Sequence, residues 1–324
     1  MSNYVTIAAS AKYVPERVVT NDELSQLMPT SDEWIQSHTG IKTRHIAIDE
    51  NTSVLASKVA TELLAKSGVA ASEIDLIIVS TITPDYLTPA TACLVQEQIG
   101  ATNAMAFDIS AACAGFIFAA DTAEKFLRQG KFKHAIVISA ETNSKMLDWQ
   151  DRTTAVFFGD GAGGALLSAS DEASAESFID SRLQTDGSRH EAIMSGAVAP
   201  LTAIEADHTP TIAPFTMQGR AVFDFATKTV PVQIQTLLAA NNLTADDVDL
   251  FICHQANLRI IEKIAAALKQ PMSKFPTNVE RYGNTSSAGV PMALAEVQPQ
   301  AHGKLAVLSG FGGGLAYGSL LIRL

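Results

Sequence analysis

The chain has 324 residues, of which 47% are hydrophobic and 18% are charged, and its formal net charge is −11. This length suits two domains or one duplicated unit, and the apolar content excludes a largely disordered chain. The acidic balance argues against a nucleic-acid partner, and no apolar run approaches the roughly 18 residues that crossing a membrane requires. The N-terminal residues lack the basic and apolar segments of a secretory signal, so we expect a cytoplasmic protein.

In the first half of the chain, short apolar runs alternate with helical segments. A helix is predicted over 53–67, where Thr52 or Ser53 begins it and Gly68 ends it. Strands are predicted over 76–80, 104–109 and 135–139, and a second helix is predicted over 113–129. Because the strands are apolar without interruption, we expect a sheet that helices cover on both faces.

The second half of the chain shows the same kind of alternation. The helical pattern over 222–240 contains Pro231, which lacks an N–H group and predicts a kink or a break. A buried strand is predicted over 248–253, and it is followed by a helix over 257–269 that Pro271 stops.

Three segments of the first half recur in the same order in the second half. The pairs are SEIDLIIV (72–79) with DDVDLFIC (246–253), HAIVIS (134–139) with KLAVLS (304–309), and FGDGAGGALL (158–167) with FGGGLAYGSLL (311–321). The polar, small-residue stretch at 168–177 is typical of a junction. This order predicts two related α/β halves, residues 1–170 and residues 171–324.

The chain has three cysteines, too few for a disulfide framework, and it contains no CxxC or HExxH motif that would hold a metal. Cys113 lies among small residues between a predicted strand and a predicted helix. A helix N-terminus lowers the pKa of a thiol and offers free N–H groups to an oxyanion. Cys113 is therefore a candidate nucleophile, and a core cysteine is the alternative. Cys93 and Cys253 are interpreted as packing residues.

Two polar residues of the second half lie at comparable element ends. His254 follows a buried strand, where the ligand sites of α/β sheets collect, and Asn284 lies between Gly283 and a Ser/Thr run that opens a helix. A packed histidine and a turn or N-cap asparagine are the structural alternatives. The duplication favours a shared site, because it puts Cys113 in one half and the other two residues in the other half.

The glycine-rich segment SGFGGGLAYG (309–318) is a candidate for close backbone contact with a ligand. No Lys-Ser/Thr pair follows its glycines and it does not open a βαβ unit, so neither a P-loop nor a dinucleotide fingerprint is present. The N–H group of Gly313 is then a candidate oxyanion donor beside that of Cys113. A tight hairpin turn is the structural alternative.

Together these motifs resemble those of the β-ketoacyl-acyl carrier protein synthase III family of condensing enzymes. The segments that carry the resemblance are TSDEWIQSHTGIKTRHIA (30–47), AACAGF (111–116), DRTTAVFFGDGAG (151–163), HQANLRII (254–261), YGNTSSAGVP (282–291) and FGGGLAYGS (311–319). The resemblance implies an α/β, thiolase-like fold of duplicated α/β units, layered αβαβα, with two mixed five-stranded sheets.

The resemblance also implies an acyltransferase that initiates fatty-acid biosynthesis. An acyl-CoA with an acetyl or short branched acyl group would acylate Cys113. Malonyl-acyl carrier protein would then lose CO₂, and its carbanion would attack the acyl-cysteine to give 3-oxoacyl-acyl carrier protein. His254 and Asn284 would donate hydrogen bonds to the malonyl thioester oxygen, with no cofactor and no metal. A homodimer is implied by the resemblance alone.

Further residues match binding positions of the family. Trp34 and Arg152 match a pair that sandwiches the adenine of coenzyme A. Asn257 matches a residue near the pantetheine arm, and Phe158 and Phe311 match aromatic residues of the active-site cavity.

The surface positions match the family less closely. Arg259 matches a residue implicated in docking the acidic carrier protein. Asp224 stands at a position that can carry a docking lysine, and Lys228, Lys263 and Lys269 are the candidate cations to compensate for it. His38 stands where an arginine near the coenzyme A phosphates is often found. Thr88 stands where some members carry a phenylalanine that closes the primer pocket across the dimer, so we expect room for branched or longer primers.

Three other functions are compatible with parts of the pattern. A specialised synthase III-like condensing enzyme of secondary metabolism is the main alternative, and a non-catalytic thiolase-fold scaffold is another. A papain-like protease has the same Cys–His–Asn order along the chain, but its local cysteine signature is missing and the duplication has no place in that fold.

Overall fold

The computed structural model describes residues 4–173, 176–204 and 209–324. The strands are β1 (Tyr4–Tyr13), β2 (Arg17–Thr20), β3 (Thr43–Ile46), β4 (Leu76–Ser80), β5 (Met105–Ile109), β6 (His134–Glu141), β7 (Gly161–Ser170), β8 (Phe178–Thr185), β9 (Ile193–Met194), β10 (Thr216–Met217), β11 (Leu250–Cys253), β12 (Leu305–Gly312) and β13 (Ala316–Arg323). The α-helices are α1 (Asn21–Leu24), α2 (Asp32–Thr39), α3 (Thr52–Ser67), α4 (Thr91–Ile99), α5 (Gly115–Arg128), α6 (Gly219–Ala240), α7 (Leu258–Leu268), α8 (Val279–Tyr282) and α9 (Gly289–Val297). The 3-10 helices are Ala71–Glu73, Ala112–Ala114, Asn143–Met146, Gly187–Ala192, Ala245–Asp247, Met272–Lys274, Ser286–Ala288, Gln298–Gln300 and Gly313–Leu315.

Two mixed sheets with matching strand orders form the frame of the fold. The first has the order β1-β7-β6-β4-β5 and the second the order β8-β13-β12-β11. In each sheet two neighbouring strands are parallel, β4 with β6 and β11 with β12, and the next strand returns antiparallel as β7 or β13. The three sequence repeats therefore fall on corresponding strands, which confirms the duplicated α/β units, whereas the boundary at residue 170 stays a prediction.

A matching aspartate precedes the first parallel strand of each repeated pair. The Asp75 N–H donates to the His134 carbonyl at 3.0 Å, and Asp75 Oδ2 accepts from the Lys133 and His134 N–H groups at 2.7 and 3.1 Å. The Asp249 N–H donates to the Leu305 carbonyl at 2.9 Å, and Asp249 Oδ2 accepts from the Leu305 N–H at 2.9 Å. Each aspartate thus fixes the register of its strand against the next strand of the repeat.

Helices fill three layers around the two sheets. Helices α3 and α4 cover the outer face of the first sheet, α5 and α9 lie between the sheets, and α6 and α7 cover the outer face of the second. Ile77 and Val79 of β4 pack in the outer hydrophobic cluster, whereas Leu76 and Ile78 pack in the central one. This alternation is the two-residue period of a strand buried on both faces, and the αβαβα layering is confirmed.

The second sheet differs from the expectation, because it has four strands in the part of the chain that the structure describes, not five. The segment after α7 that would supply a fifth strand contains Pro276, which has no N–H to donate to a ladder. The Gln255 side chain provides hydrogen bonds to the backbone of this segment instead. Its Oε1 accepts from the N–H groups of Asn278 and Val279 at 2.9 and 3.3 Å, and its Nε2 donates to the Pro276 carbonyl at 3.3 Å.

The predicted helix boundaries hold to within three residues, and the largest difference is at α6, which begins at Gly219 instead of residue 222. Helix α3 begins at Thr52 after Asn51, whose side chain accepts from the Thr52 N–H, and it ends at Gly68 with a φ of +71°. Helix α6 runs through Pro231 without a break, so that part of the prediction was wrong. Val230, Pro231 and Ile234 are buried in the outer core, and this packing maintains the helix where one backbone bond is lost.

Candidate active site

A cavity of about 230 Å³ brings together residues from both halves of the chain. Cys113 comes from the first half, and His254 and Asn284 come from the second. Its remaining lining residues are mostly apolar or aromatic: Trp34, His38, Phe157, Phe158, Ile193, Phe215, Met217, Gly219, Val222, Phe223, Ala256, Asn257, Ile260, Phe311 and Gly312. An apolar cavity with a few convergent polar groups is typical of a small-molecule site.

Cys113 lies in a single 3-10 turn that leads into the buried helix α5. The turn begins at Ala112, whose φ is +47°, and α5 begins two residues after the cysteine at Gly115. Gly312, at the end of β12, passes so close that a Cβ there would lie 2.5 Å from Cys113 N and 3.0 Å from Cys113 Cβ. A glycine is therefore required where the second sheet meets the cysteine backbone.

The electrostatics of the thiol differ from the expectation of a lowered pKa. Burial raises the pKa of Cys113 to about 12, with the charge of Glu141 adding to the increase. A hydrogen bond with Ser286 Oγ, 3.3 Å from Cys113 Sγ, opposes this increase. Desolvation therefore outweighs the helix end, because the sulfur lies at the bottom of an apolar cavity.

His254 follows β11 directly and is fully buried against an aromatic ring. Its backbone N–H donates to the Ser309 carbonyl at 2.8 Å, and its ring meets Phe311 edge to face at a centroid distance of 5.0 Å. The ring Nδ1 has no hydrogen-bond partner among the described residues. Burial lowers the pKa of His254 to about 3, so the imidazole is neutral at physiological pH and able to donate one N–H.

Asn284 combines a turn role with a place on the cavity wall. Its N–H donates to the Phe157 carbonyl at 2.8 Å, and its carbonyl accepts from the Gly159 N–H at 3.1 Å. The side-chain Oδ1 accepts from the Ser286 N–H at 2.9 Å. Because the carboxamide oxygen is occupied by the turn, the Nδ2 group is the part of the side chain that remains to donate to a ligand.

Trp34 and Asn257 line the same cavity, and Arg152 adjoins it through Trp34. The Arg152 guanidinium lies 5.1 Å from the centre of the Trp34 ring, and His38 stacks on that ring at 4.3 Å. Asn257 caps α7 by accepting from the Arg259 N–H at 2.7 Å, and its Nδ2 donates to the His38 carbonyl at 3.2 Å. The structure thus brings Trp34 and Arg152 together in direct contact with each other.

Of the four other residues predicted to contact a ligand, two line the cavity and two do not. Phe158 and Phe311 line the cavity. Gly313 lies one residue beyond the cavity wall and lines a neighbouring cavity of about 650 Å³, together with Ala112. Thr88 is exposed on the loop between β4 and α4 and does not line the cavity with Cys113.

The predicted carrier-docking residues lie on α7. The Arg259 side chain pairs with Glu262 at 3.1 Å and donates to the Ser37 carbonyl at 3.1 Å, so it ties α7 to the end of α2. Lys263 is exposed. On this face of α7, the charge of Arg259 is partly neutralised by Glu262, whereas Lys263 is exposed to solvent.

Several cavity residues were not predicted from the sequence. The apolar wall residues are Phe157, Ile193, Phe215, Met217, Val222 and Phe223. Ser286, in contact with the sulfur, and Glu141, behind it, were also missed. A signal for Ser286 was available, because TSSAG (285–289) parallels AACAG (111–115) at the start of a helix.

The remaining expectations concern the wider molecule. All three cysteines are free, and burial raises the pKa of Cys253 to about 12. Within residues 4–173, 176–204 and 209–324, no cluster of three or more His, Cys, Asp or Glu side chains is arranged to hold a metal ion. In the same described ranges, no helix has the length and apolar character needed to cross a membrane.

Comparison with known proteins gives a consistent result. A family model described as 3-oxoacyl-(acyl-carrier-protein) synthase III matches residues 107–187, and the C-terminal model of the same name matches residues 238–324. The chain is 60% identical over 324 residues to β-ketoacyl-(acyl-carrier-protein) synthase III 1 of Lactiplantibacillus plantarum, with 100% of each chain covered.

Solved structures show the same similarity. The β-ketoacyl-(acyl carrier protein) synthase III of Thermus thermophilus has a TM-score of 0.91 at 39% identity, covering 98% of this chain and 99% of that chain. The priming β-ketosynthase of the R1128 polyketide pathway has a TM-score of 0.90 at 31% identity, covering 100% of this chain and 97% of that chain.

Proposed function

The chain belongs to the 3-oxoacyl-(acyl-carrier-protein) synthase III family, and from this premise we propose how its cavity carries out the reaction. The protein is an acyltransferase that initiates fatty-acid synthesis by condensing an acyl group with a malonyl unit on a carrier protein. The observation that carries the assignment of residues is that Cys113, His254 and Asn284, from two different halves, line one cavity.

In the first step, Cys113 Sγ attacks the thioester carbonyl of acyl-CoA and coenzyme A leaves. The negative charge on the carbonyl oxygen is held by the backbone N–H groups of Cys113 and Gly313. Support for this pair comes from the close approach of Gly312 to the Cys113 backbone, which brings the glycine-rich turn next to the nucleophile. Preorganised N–H donors of this kind each contribute about 2.7–4 kcal/mol to acyl transfer in other enzymes.

In the second step, malonyl-acyl carrier protein occupies the emptied part of the cavity and loses CO₂. The enolate oxygen that forms is stabilised by a neutral His254 N–H and by the Asn284 Nδ2 group. The low pKa of His254 supports this role, because a neutral imidazole donates a hydrogen bond to the enolate oxygen and keeps its own proton. The apolar wall, including Phe158 and Phe311, favours the loss of a charged carboxylate as neutral CO₂.

Substrate binding is assigned to the mouth of the cavity. Trp34 and Arg152 hold the adenine of coenzyme A after their direct contact opens, and Asn257 lies along the pantetheine arm. Arg259 and Lys263 of α7 receive the acidic carrier protein. Coenzyme A acts as a substrate carrier and no other cofactor takes part. We place the enzyme in the cytoplasm as a homodimer.

Thr88 sets the primer preference in this proposal. In a homodimer its loop would approach the partner's primer pocket, and the small side chain would leave room for branched primers. Acetyl-CoA and isobutyryl-CoA should therefore both support condensation with malonyl-acyl carrier protein, and Thr88→Phe should reduce isobutyryl turnover more than acetyl turnover. Strict use of acetyl-CoA by the unaltered protein would contradict this assignment.

The nucleophile is tested by mass spectrometry after incubation with acetyl-CoA alone. An acetyl adduct is expected on the peptide that contains Cys113, and Cys113→Ser should remove it. Cys93→Ser is the matched control, because this cysteine is half-buried outside the cavity. A folded protein that binds acetyl-CoA without forming the adduct would overturn the proposed chemistry and favour a scaffold.

A further inference from the structure

Glu141 is a fully buried carboxylate to which the reaction described above gives no role. It ends β6, behind the cavity, and its oxygens accept five hydrogen bonds from two segments of the fold. The donors to Oε2 are Thr81 Oγ1 at 3.1 Å, Ile82 N at 3.1 Å and Thr83 Oγ1 at 2.7 Å, and those to Oε1 are Ser286 Oγ at 3.2 Å and Ser287 Oγ at 2.7 Å. Hydrogen bonds of this number make an ionised carboxylate tenable in the core.

One of these donors also touches the nucleophile. Ser286 Oγ lies 3.3 Å from Cys113 Sγ and 3.2 Å from Glu141 Oε1. A serine hydroxyl both donates and accepts, so it can receive the thiol S–H while donating to the carboxylate. Ser287 Oγ binds the same carboxylate oxygen as Ser286 but has no hydrogen bond to the sulfur within the described residues.

The charge balance of the site favours this route for the thiol proton. If the proton left for solvent, a thiolate and the Glu141 carboxylate would both be buried in one apolar site. Burial, with a smaller contribution from the charge of Glu141, raises the pKa of Cys113 and so opposes this outcome. Transfer to Glu141 keeps a single negative charge and only moves it from oxygen to sulfur. Burial also raises the pKa of Glu141, so this carboxylate accepts a proton more readily than an exposed carboxylate does.

Other titratable groups near the pair are poor acceptors. His254 lines the cavity, but burial lowers its pKa to about 3, so it does not hold a proton at physiological pH. Lys145 interacts with the charge of Glu141, but its Nζ donates to Asn51 Oδ1 at 2.5 Å and to the Pro84 carbonyl at 3.0 Å, and among the described residues no hydrogen bond joins it to Cys113 or Ser286. Glu141 is therefore the acceptor that the geometry connects to the sulfur.

We propose that Ser286 and Glu141 form a proton relay for the acylation of Cys113, an inference that rests on the proposed role of this cysteine as nucleophile. The S–H bond of Cys113 breaks as its proton forms a new O–H bond with Ser286 Oγ. The original hydroxyl proton of Ser286 passes at the same time to Glu141 Oε1. The sulfur then bonds to the acyl carbon and the bond to coenzyme A breaks. The proton returns from Glu141 through Ser286 to the departing thiolate, so coenzyme A leaves as the free thiol and the carboxylate is restored.

The structure offers a variant that interrupts the relay with little change in the backbone. Ser286 has a φ of +52°, and Ala112, at the corresponding place in the first half, has a φ of +47°. Alanine is therefore compatible with this turn. Ser286→Ala also retains the backbone N–H that donates to Asn284 Oδ1, so the carboxamide keeps its orientation.

The test is the pH dependence of single-turnover acylation by acetyl-CoA, measured by mass spectrometry between pH 6 and 9. The unaltered enzyme should show a shallow profile. Ser286→Ala and Glu141→Gln should lose about 10²-fold in rate near pH 6, the scale of general acid–base catalysis. Their rates should rise about tenfold per pH unit, because only the spontaneously formed thiolate then reacts. Glu141→Asp should recover part of the shallow profile.

Ser287→Ala is the matched control, since it removes a hydroxyl from Glu141 without removing a contact to sulfur. It should keep the shallow profile, and decarboxylation of malonyl-acyl carrier protein should survive in Ser286→Ala. Equal losses in Ser286→Ala and Ser287→Ala, or normal profiles in both Ser286→Ala and Glu141→Gln, would overturn the relay. Failure of the unaltered enzyme to acetylate Cys113 would instead overturn the proposed function, and if Glu141→Gln does not fold, the two serine variants decide.

Discussion

The two halves of the molecule build the same turn at the start of a central helix, but the first turn contributes Cys113 to the active-site cavity and the second contributes no residue to it. In the first half the 3-10 turn Ala112–Ala114 precedes α5, and in the second half the turn Ser286–Ala288 precedes α9. Both turns begin with a residue at positive φ, and Cys113 and Ser287 occupy the same position within them. The backbone that presents the nucleophile is therefore present twice.

The difference lies in what the opposite sheet places in front of each turn. The strand registers pair Leu76 with Ala135 and Leu250 with Ala306, so Glu141 at the end of β6 corresponds to Gly312 at the end of β12. Phe311 and Gly312 leave the cavity open beside Cys113, whereas the Glu141 carboxylate binds Ser287 Oγ at 2.7 Å and fills the equivalent space. A duplicated fold thus supplies two helix ends, and the side chain at the facing strand end decides which becomes the reactive site.

The largest expected effect comes from moving the thiol to the closed turn. In a Cys113→Ala background, Ser287→Cys should give no acetyl adduct with acetyl-CoA, because this position is buried against Glu141 and does not line the cavity. Intact-protein mass spectrometry measures this, with the unaltered protein as the positive control. An acetyl group at position 287 would show that the two turns are equivalent and that the facing strand end does not decide.

Asn284→Ala separates the two steps of the reaction. Condensation should fall by about 10²- to 10³-fold, the effect of losing one oxyanion donor, while acetylation of Cys113 continues at its normal rate. The two steps are followed by product formation and by single-turnover mass spectrometry. Asn278→Ala is the matched control, because Asn278 is a buried asparagine without a side-chain partner among the described residues and outside the cavity. Parallel loss of both steps in Asn284→Ala would mean a merely structural role.

Gly312→Ala tests the close approach on the open side. The new Cβ would meet Cys113 N at 2.5 Å, so we expect acetylation to slow and the free energy of unfolding to fall by about 1–3 kcal/mol. Gly187→Ala, where nothing lies within 4 Å of the new Cβ, should change neither. Denaturant unfolding and single-turnover acetylation provide the measurements. An unchanged rate and stability in Gly312→Ala would contradict the tight contact.

His254 has the smallest expected effect, a change in the pH dependence of stability. Its folded pKa is depressed from 6.5 to about 3, so the unfolded chain binds a proton below pH 6.5 that the native protein does not. Stability should therefore be lost as pH falls through this window, by about 1.4 kcal/mol per pH unit from this group. His254→Gln should remove that contribution in denaturant unfolding between pH 6 and 4, and His190→Gln, at an exposed position, should not. Equal slopes in all three proteins would contradict a buried neutral imidazole.

Sequence reasoning recovered the features that have local signals. The apolar strands, the glycine and asparagine turns and the ordered repeats predicted the duplicated α/β units, and they placed Cys113, His254 and Asn284 at element ends. The structure then brought all three to one cavity. Thr88 and Gly313 do not line that cavity, and their predicted contacts involve a second chain or a bound acyl group.

What the sequence by itself determined is the pattern of elements, because hydrophobic period, capping and turn chemistry act over a few residues. The tertiary structure alone decided the environment of the sulfur. Glu141 and Ser286 are 145 positions apart, and their contact, the raised pKa of Cys113 and the four-strand order of the second sheet all depend on side chains that meet only after folding. Desolvation and long-range hydrogen bonds depend on what surrounds a group in three dimensions, and no local pattern records that environment.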